Sequence, residues 1–190
     1  EELTDVAEYY HYIGEDNKAL EAVDYAIHMY PTATIPLSFK ARLALFCNDD
    51  PQLADEIAEM IVDKTDLDYL YLKAEIMIVD NKAAEADDFL QSQYDEIISQ
   101  EDREDYVLDV AALFSDYEET EFVEKWLSRS TKTGDNDYKE LRARVLKNHG
   151  KYKESESILN ELLDANPYSG PYWNQLAQTQ LLRNDIKDSI

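Results

Sequence analysis

The side chains best suited to chemistry in this sequence are three histidines, one cysteine and many carboxylates. His11, His28 and His149 lie in three separate places and match neither an HExxH pattern nor a Cys/His ligand spacing. Cys47 is the single cysteine, so it forms no internal disulfide, and we expect it to be a small buried hydrophobic side chain. These residues predict neither a metal site nor a nucleophilic site.

The carboxylates are too numerous to indicate catalysis by themselves. Asp and Glu number 42 in 190 residues, so pairs of carboxylates occur by chance. A pair indicates general acid–base chemistry only where it lies in a buried cleft, and the sequence contains no motif that predicts such a cleft. The segment DNDYKE has the acidic start of a calcium loop, but from Asp135 the twelfth place is Leu146 instead of Glu. We interpret it as a helix cap. No glycine-rich phosphate loop or GxSxG motif occurs, so we predict no catalytic residues, no cofactor-binding residues and no enzyme activity.

The net charge limits the classes of partner. Lys and Arg number 18, which gives a formal net charge of −24 and a pI near 4.2. Phosphate backbones and anionic lipid surfaces would be repelled, so we expect no nucleic-acid binding. No apolar run approaches the ~18 residues of a membrane span, so we expect no membrane insertion.

The cellular compartment stays open at this stage. The chain begins at Glu1 instead of Met and ends within a helical pattern, so we expect a processed or excised piece. A cytoplasmic location is slightly favoured, and a secreted or periplasmic one stays open because a leader could precede Glu1.

The elements that would position these side chains are helices in a repeated arrangement. Only 4 Gly and 5 Pro interrupt the chain, which favours long helices over many β-turns. The stretch GEDNKALEAVDYAIHMYP has a late counterpart in NHGKYKESESILNELLDANP. In both, 17 residues separate the turn glycine from the closing proline (31 − 14 and 167 − 150).

A small residue recurs along the whole chain at nearly constant spacing. The successive intervals are 34, 33, 37, 32 and 34 residues, between Ala7, Ala41, Ala74, Ala111, Ala143 and Ala177. A helical hairpin cannot bury its apolar stripe alone, and a small residue lets the next hairpin approach closely. The period therefore predicts stacked hairpins, with two helices in each copy.

This pattern resembles the tetratricopeptide repeat (TPR) family, whose unit is a helical hairpin of about 34 residues. In the first copy the family's small residues, aromatic, turn glycine and closing proline correspond to Ala7, Ala19, Ala26, Tyr10, Gly14 and Pro31. The resemblance implies an all-α fold, an α–α superhelix formed as a right-handed solenoid of about six hairpins. It implies a single domain over residues 1–190, with approximate copies at 1–33, 34–66, 67–101, 102–133, 134–168 and a partial copy at 169–190.

Local signals predict where several helices begin. Asp50 is the expected N-cap of a helix starting at Pro51, and Asp16 is expected to cap the second helix of the first copy. We expect the second helix to be lengthened in the third copy, near 82–99, and shortened in the fourth. In the sixth copy it is expected to begin near Asp185.

The resemblance also implies a binding surface, because TPR proteins hold peptides in a concave groove lined by the first helix of each copy. Transferred residue by residue, the partner-binding positions of the first three copies are Glu8, Tyr12, Arg42, Phe46, Tyr71 and Glu75. The remaining groove positions are Thr4, His11, Ser38, Leu45, Ile78 and Val79, then Leu108, Ala112, Ser115, Asp116, Glu140, Arg144, Lys147, Asn148, Asn174, Gln178, Leu181 and Leu182.

The chemistry of these positions predicts the kind of partner. Chaperone-binding TPR proteins hold a terminal carboxylate with basic residues, but Glu8 and Glu75 would repel it. The mixture of acids and aromatics suits a basic or aromatic extended segment, and it is equally compatible with a groove filled by a neighbouring helix. We therefore predict a non-catalytic interaction scaffold that binds a peptide or protein segment. Two alternatives stay open: a structural segment of a longer array that self-associates through exposed repeat ends, and an accessory domain of a bacterial nutrient-uptake protein.

Overall fold

The computed structural model describes residues 2–96 and 98–188, with side chains through residue 184. The described residues contain eleven α-helices and no strand, so the all-α prediction is confirmed. The helices are α1 (Glu2–Tyr12), α2 (Asp16–Met29), α3 (Thr34–Cys47), α4 (Pro51–Ala58), α5 (Leu67–Val79), α6 (Ala83–Glu96), α7 (Arg103–Asp116), α8 (Thr120–Leu127), α9 (Asn136–Asn148), α10 (Tyr152–Ala165) and α11 (Gly170–Asp188).

The chain divides into two compact units, which we call unit 1 (Glu1–Ile97) and unit 2 (Ile98–Ile190). Unit 1 contains the hairpins α1–α2, α3–α4 and α5–α6, and unit 2 contains α7–α8, α9–α10 and the single helix α11. Within unit 1 the first helices α1, α3 and α5 contact one another in order, as do α7, α9 and α11 within unit 2. The predicted helical repeat is present in both units, and one solenoid domain over all six copies stays a prediction.

The recurring small residues lie where hairpins pack. Ala7, Ala41, Ala74, Ala111 and Ala143 are all 0% exposed. A side chain no larger than a methyl group lets neighbouring helix backbones approach, which buries the apolar stripe of each hairpin. In the last copy Ala177 is exposed, because the described part of α11 has a neighbouring hairpin on one side alone.

Each hairpin turn contains one residue with left-handed backbone geometry. The predicted turn glycines have φ angles of 77° at Gly14 and 73° at Gly150. The other three hairpins place Asp49, Asn81 and Glu118 at the corresponding point, with φ angles of 53°, 60° and 60°. Asn and Asp tolerate this geometry better than Glu does. The shared feature is therefore the backbone turn, and glycine is one of several ways to form it.

Helix ends agree with the sequence in part. Asp50 caps α4 as predicted, because its Oδ1 accepts a hydrogen bond from the Leu53 N–H at 2.9 Å and Pro51 is the first helical residue. The prediction for Asp16 is wrong: Glu15 is the N-cap, and Asp16 is the first residue of α2.

The lengths of the second helices also differ from expectation. The fourth copy has a short second helix, α8 with 8 residues, as predicted, but the second copy's α4 is equally short. Helix α6 has 14 residues, the same as α2 and α10, so it is not lengthened. Helix α11 continues through Asp188, so no second helix begins near Asp185.

Candidate partner-binding face

The six predicted binding residues lie in pairs on the first helices of unit 1. Each pair is separated by four residues, so its two members share one face of their helix. We call this set the first-helix face: Glu8 and Tyr12 on α1, Arg42 and Phe46 on α3, and Tyr71 and Glu75 on α5.

An ion pair joins two of these helices. The Arg42 Nε donates to Glu75 Oε2 at 2.8 Å, and the two side chains are 30% and 15% exposed. They occupy the same repeat position in neighbouring copies, 33 residues apart. The pair aligns the faces of α3 and α5, and it already compensates the charge of Glu75. Glu75 is therefore less able to attract a basic partner than the sequence indicated.

Two aromatic rings of the first-helix face are strongly exposed. Tyr12 is 87% exposed and Phe46 is 56% exposed, and each lies five residues after the small residue of its copy. Their helices α1 and α3 contact each other. Glu8 is exposed as well, whereas Tyr71 is half-buried. The exposed aromatic area of the first-helix face thus lies on α1 and α3.

Several transferred groove positions do not face solvent. The buried ones are Thr4, Ser38, Leu45, Ile78 and Ser115, each less than 9% exposed. Ser38 and Leu45 lie three and four residues from Ala41, so they share the face that packs inside the hairpin stack. The groove prediction is therefore wrong for these five residues, because their side chains pack inside the unit and are not available to contact a partner.

Unit 2 forms a polar depression from its own groove positions. It has a volume of about 240 Å³ and is lined by residues of α7, α9 and α11: Leu108, Asp109, Ala112, Asp137, Glu140, Leu141, Arg144 and Gln175. The structure thus brings together four predicted positions, Leu108, Ala112, Glu140 and Arg144. Gln175, which sequence reasoning missed, donates from Nε2 to Glu140 Oε1 at 2.9 Å.

Further side-chain pairs connect the copies of unit 2. Arg144 Nη1 lies 3.2 Å from Asp116 Oδ1, and Lys147 Nζ donates to Gln178 Oε1 at 3.3 Å. All four residues occupy predicted groove positions in successive copies. None of these four residues is aromatic, so they offer no ring surface like that of Tyr12 and Phe46 on the first-helix face.

The perturbed carboxylates belong to structural ion pairs and loops. Hydrogen bonds from Lys73 and Lys64 lower the pKa of Glu59 to about 2. Lys73 also bonds Asp55, and these two carboxylates outweigh desolvation and raise the Lys73 pKa. Tyr69 Oη also donates to Glu59 Oε1 at 3.4 Å, and the whole cluster forms a bridge between the end of α4 and α5.

Three potential metal ligands lie close together at one end of the first hairpin. His11, Asp16 and Cys47 are all exposed, and their ligand atoms lie within 4.8 Å of one another. Cys47 was expected to be buried, and that prediction is wrong. Partial desolvation and the negative charge of Asp16 raise the pKa of its thiol.

The sequence does contain a pattern that predicts the closeness of His11 and Cys47, but searches for metal-ligand motifs do not use it. Cys47 lies 36 residues after His11, so subtracting one repeat of 34 places it two residues beyond His11 in the first copy. Motif searches look for ligands within one segment, whereas stacked repeats bring equivalent segments side by side.

Comparisons with known proteins support the fold. A search of solved structures finds the crystal structure of a tetratricopeptide repeat protein from Parabacteroides merdae, with a TM-score of 0.54 and 15% sequence identity. The match covers 99% of this chain and 75% of the other. At this identity the likeness shows a TPR-like helical repeat fold and nothing more specific. No family model matches the sequence, and no curated protein matches it.

None of the helices in the described residues is long and apolar enough to cross a membrane. This agrees with the absence of any such stretch in the sequence.

Proposed function

We propose that this chain is a non-catalytic protein-interaction scaffold that binds an extended segment of a partner protein on the first-helix face of unit 1. TPR-like repeat folds commonly act in this way and are typically not enzymes. The residues proposed to contact the partner are Glu8, Tyr12, Arg42, Phe46, Tyr71 and Glu75.

The observation that carries the proposal is the exposure of Tyr12 and Phe46 at equivalent places on neighbouring helices. A large aromatic side chain with more than half of its surface in water contributes little to folding. Two such rings at the same position of successive repeats form contact area for a ligand that runs across the helices. Aromatic residues are enriched among the anchors of protein interfaces.

The charges near these rings favour a basic or aromatic segment. Glu8 is exposed on the same face of α1 as Tyr12, and the whole chain carries a formal charge of −24. A Lys or Arg of the partner would gain from the carboxylate and from the face of the tyrosine ring. Arg42 and Glu75 bond each other, so they contribute shape and hydrogen-bonding capacity more than net charge.

A display library of unstructured peptides, selected on the full chain, would identify a binding segment. Its Kd is then measured by calorimetry for the wild type and for Tyr12→Ala combined with Phe46→Ala. We expect a loss of about 2 kcal/mol or more, or roughly thirtyfold in Kd, if these rings are anchors. The matched control is Tyr25→Ala with Tyr30→Ala, since both tyrosines are similarly exposed, at 55% and 61%, but lie at α2.

Equal losses in the control pair, or an unchanged Kd in the Tyr12/Phe46 pair, would contradict the proposal. Tyr71→Ala is measured separately, because this side chain is half-buried and its loss also affects folding. Self-association of the full chain, detected by light scattering and unaffected by the peptide, would support the alternative of a structural array segment.

A further inference from the structure

Three helix ends meet at the turn of the first hairpin. His11 is the penultimate residue of α1, Asp16 is the first residue of α2, and Cys47 is the last residue of α3. Their side chains come from two different copies, and their ligand atoms lie within 4.8 Å of one another. The proposed partner-binding residues do not include any member of this cluster.

The imidazole of His11 is held in place by two contacts. Its Nδ1 lies 2.8 Å from Asp16 Oδ1, and its ring meets the Phe39 ring edge-on at a centroid distance of 6.2 Å and an interplanar angle of 74°. A carboxylate beside the imidazole orients the ring and keeps its position relative to the thiol. The three donors are therefore partly pre-arranged, and little side-chain freedom is lost when they converge.

The donor types select a class of cation. A nitrogen, a thiolate sulfur and one carboxylate oxygen suit Zn²⁺ and related transition metals, whereas Mg²⁺ and Ca²⁺ require oxygen ligands. A thiolate and a carboxylate also balance the charge of a divalent ion. Tetrahedral Zn²⁺ with bonds of about 2.0–2.3 Å places its ligand atoms roughly 3.3–3.8 Å apart. Exposed side chains can contract from 4.8 Å to this spacing by small rotations.

The surroundings leave room for a fourth ligand. A pocket of about 300 Å³ opens beside the cluster, and both Asp16 and Cys47 line it, together with Asn17 and Asn48. Water or a side chain of a bound partner can enter from this side. The three protein ligands with an accessible fourth position resemble the arrangement of an open zinc site more than that of a closed structural one.

We propose that His11, Asp16 and Cys47 form a site for a divalent transition metal of the zinc class, which connects the first hairpin to the second. The bound ion joins α1 and α2 to α3 through side chains that are otherwise exposed. Because the unfolded chain does not hold these three residues together, the ion stabilises the folded state. This inference is independent of the proposed partner binding and can fail without affecting it.

The probe is Co²⁺, added to the full chain under anaerobic conditions with a phosphine reductant so that Cys47 stays a thiol. An excess of Mg²⁺ occupies the many surface carboxylates, which bind hard cations weakly. A thiolate-to-cobalt charge-transfer band in the near ultraviolet, together with intense visible bands, identifies tetrahedral coordination that includes sulfur. Competition by Zn²⁺ then abolishes both sets of bands.

Three variants test the ligands. Cys47→Ser should remove the charge-transfer band, and His11→Ala and Asp16→Asn should each weaken Co²⁺ binding by about tenfold or more. The matched control, His28→Ala, removes an exposed histidine of α2 that is not in the cluster and should leave the titration unchanged. Zn²⁺ should raise the Tm of the wild type and of His28→Ala but not that of His11→Ala.

Two results would overturn the proposal. One is the absence of a sulfur-to-cobalt band in the wild type. The other is a Co²⁺ affinity of Cys47→Ser or His11→Ala equal to that of His28→Ala, which would show binding by surface carboxylates alone. Each variant's Tm without metal confirms that it is folded, so a lost band reports the ligand and not the fold.

Discussion

Units 1 and 2 place their aromatic side chains differently. In unit 2 the largest fully buried side chains are Trp126, Tyr106 and Phe114, and the Trp126 and Tyr106 rings meet edge-on at 6.0 Å. Burial raises the pKa of Tyr106, as expected for a phenol in an apolar environment. Rings in unit 2 thus fill the core of the α7–α8 hairpin.

Unit 1 builds its core mainly from aliphatic side chains such as Leu37, Ile61, Leu70 and Leu72. Five aromatic side chains of unit 1 have more than half of their surface in solvent: Tyr9, Tyr12, Tyr25, Tyr30 and Phe46. Unit 2 also has exposed rings, Tyr168 and Trp173, but they lie at the turn from α10 and the start of α11. The same repeat can therefore use aromatic residues for stability in one unit and leave them available for contact in the other.

The sharpest test of this difference compares buried and exposed rings. Trp126→Ala should lower the free energy of unfolding by about 3–5 kcal/mol, because it leaves a large cavity between α7 and α8. Phe46→Ala and Tyr12→Ala should each change it by about 0.5 kcal/mol or less, since both side chains are mostly in water. Urea denaturation followed by circular dichroism measures all three. A large loss for Tyr12→Ala would show that its ring supports the fold.

A second test concerns the tolerance of the small-residue positions. Ala26 is 2% exposed in unit 1, so Ala26→Trp should overpack the first hairpin and cost about 1–3 kcal/mol. Ala177 occupies the recurring small position in the last copy of unit 2 but is exposed, so Ala177→Trp should be nearly neutral. Thermal melts of the two variants provide the comparison. An unchanged melt for Ala26→Trp would contradict the close packing that the burial of Ala26 indicates.

The third test separates the ion pairs on the two faces. Arg42→Ala removes the guanidinium that pairs with Glu75, which is 15% exposed, and should cost about 1–2 kcal/mol because a poorly hydrated carboxylate loses an ion pair. Arg144→Ala removes the partner of Asp116, which is 60% exposed, and should cost about 0.5 kcal/mol or less. Equal losses in urea denaturation would mean that the Arg42–Glu75 pair does not brace α3 against α5.

The smallest expected effect is a difference in pH and salt dependence. The pKa of Glu59 in unit 1 is lowered from 4.5 to about 2, so its stabilisation is fully present above pH 4.5 and is lost as the pH falls toward 2. Because Glu59 is half exposed, we expect about 0.2–1 kcal/mol. Lys73→Met should make the free energy of unfolding fall less steeply over this pH range.

In unit 2 the pKa of Glu104 is also lowered, although desolvation opposes the shift. Its carboxylate accepts hydrogen bonds from Ser130, Thr131 and Lys132, through hydroxyl and backbone N–H groups. Salt at about 1 M should therefore weaken the contribution of Glu59, whose shortest hydrogen bonds come from two lysines, and leave that of Glu104 largely intact. A matched urea titration of Lys73→Met and Glu104→Gln at low and high salt distinguishes the two. Equal salt sensitivity would contradict this assignment.

Much of the local structure could be predicted from the sequence. The few Gly and Pro and the Asp50–Pro51 start signal act through neighbours within a few residues along a helix, and the small residues recur at a period that is visible in the chain itself. Signals of this kind can be recognised without knowing how the hairpins pack. The helix pattern and the burial of Ala41 or Ala143 follow from them. The TPR resemblance supplied the positions of Tyr12 and Phe46; both side chains are exposed, and their contact with a partner stays a prediction.

Predictions failed where a residue's environment came from another helix. Asp16 fitted a helix cap by local rules, yet its carboxylate bonds His11 of α1. Cys47 fitted a buried small side chain by its residue type, yet it lies exposed at the end of α3. Ser38 and Leu45 fitted a groove by transfer, yet both are buried on the face of α3 that contains Ala41.

The sequence by itself determined the all-α character, the repeat period and the residues at which hairpins pack, because helical spacing and small-residue recurrence are properties of the chain alone. The tertiary structure decided which side chains meet across copies. The pairing of Arg42 with Glu75, the polar depression of unit 2 and the convergence of His11, Asp16 and Cys47 all depend on how one hairpin is rotated and shifted on the next. Those shifts arise from the volumes of many packed side chains together, so no short motif encodes them.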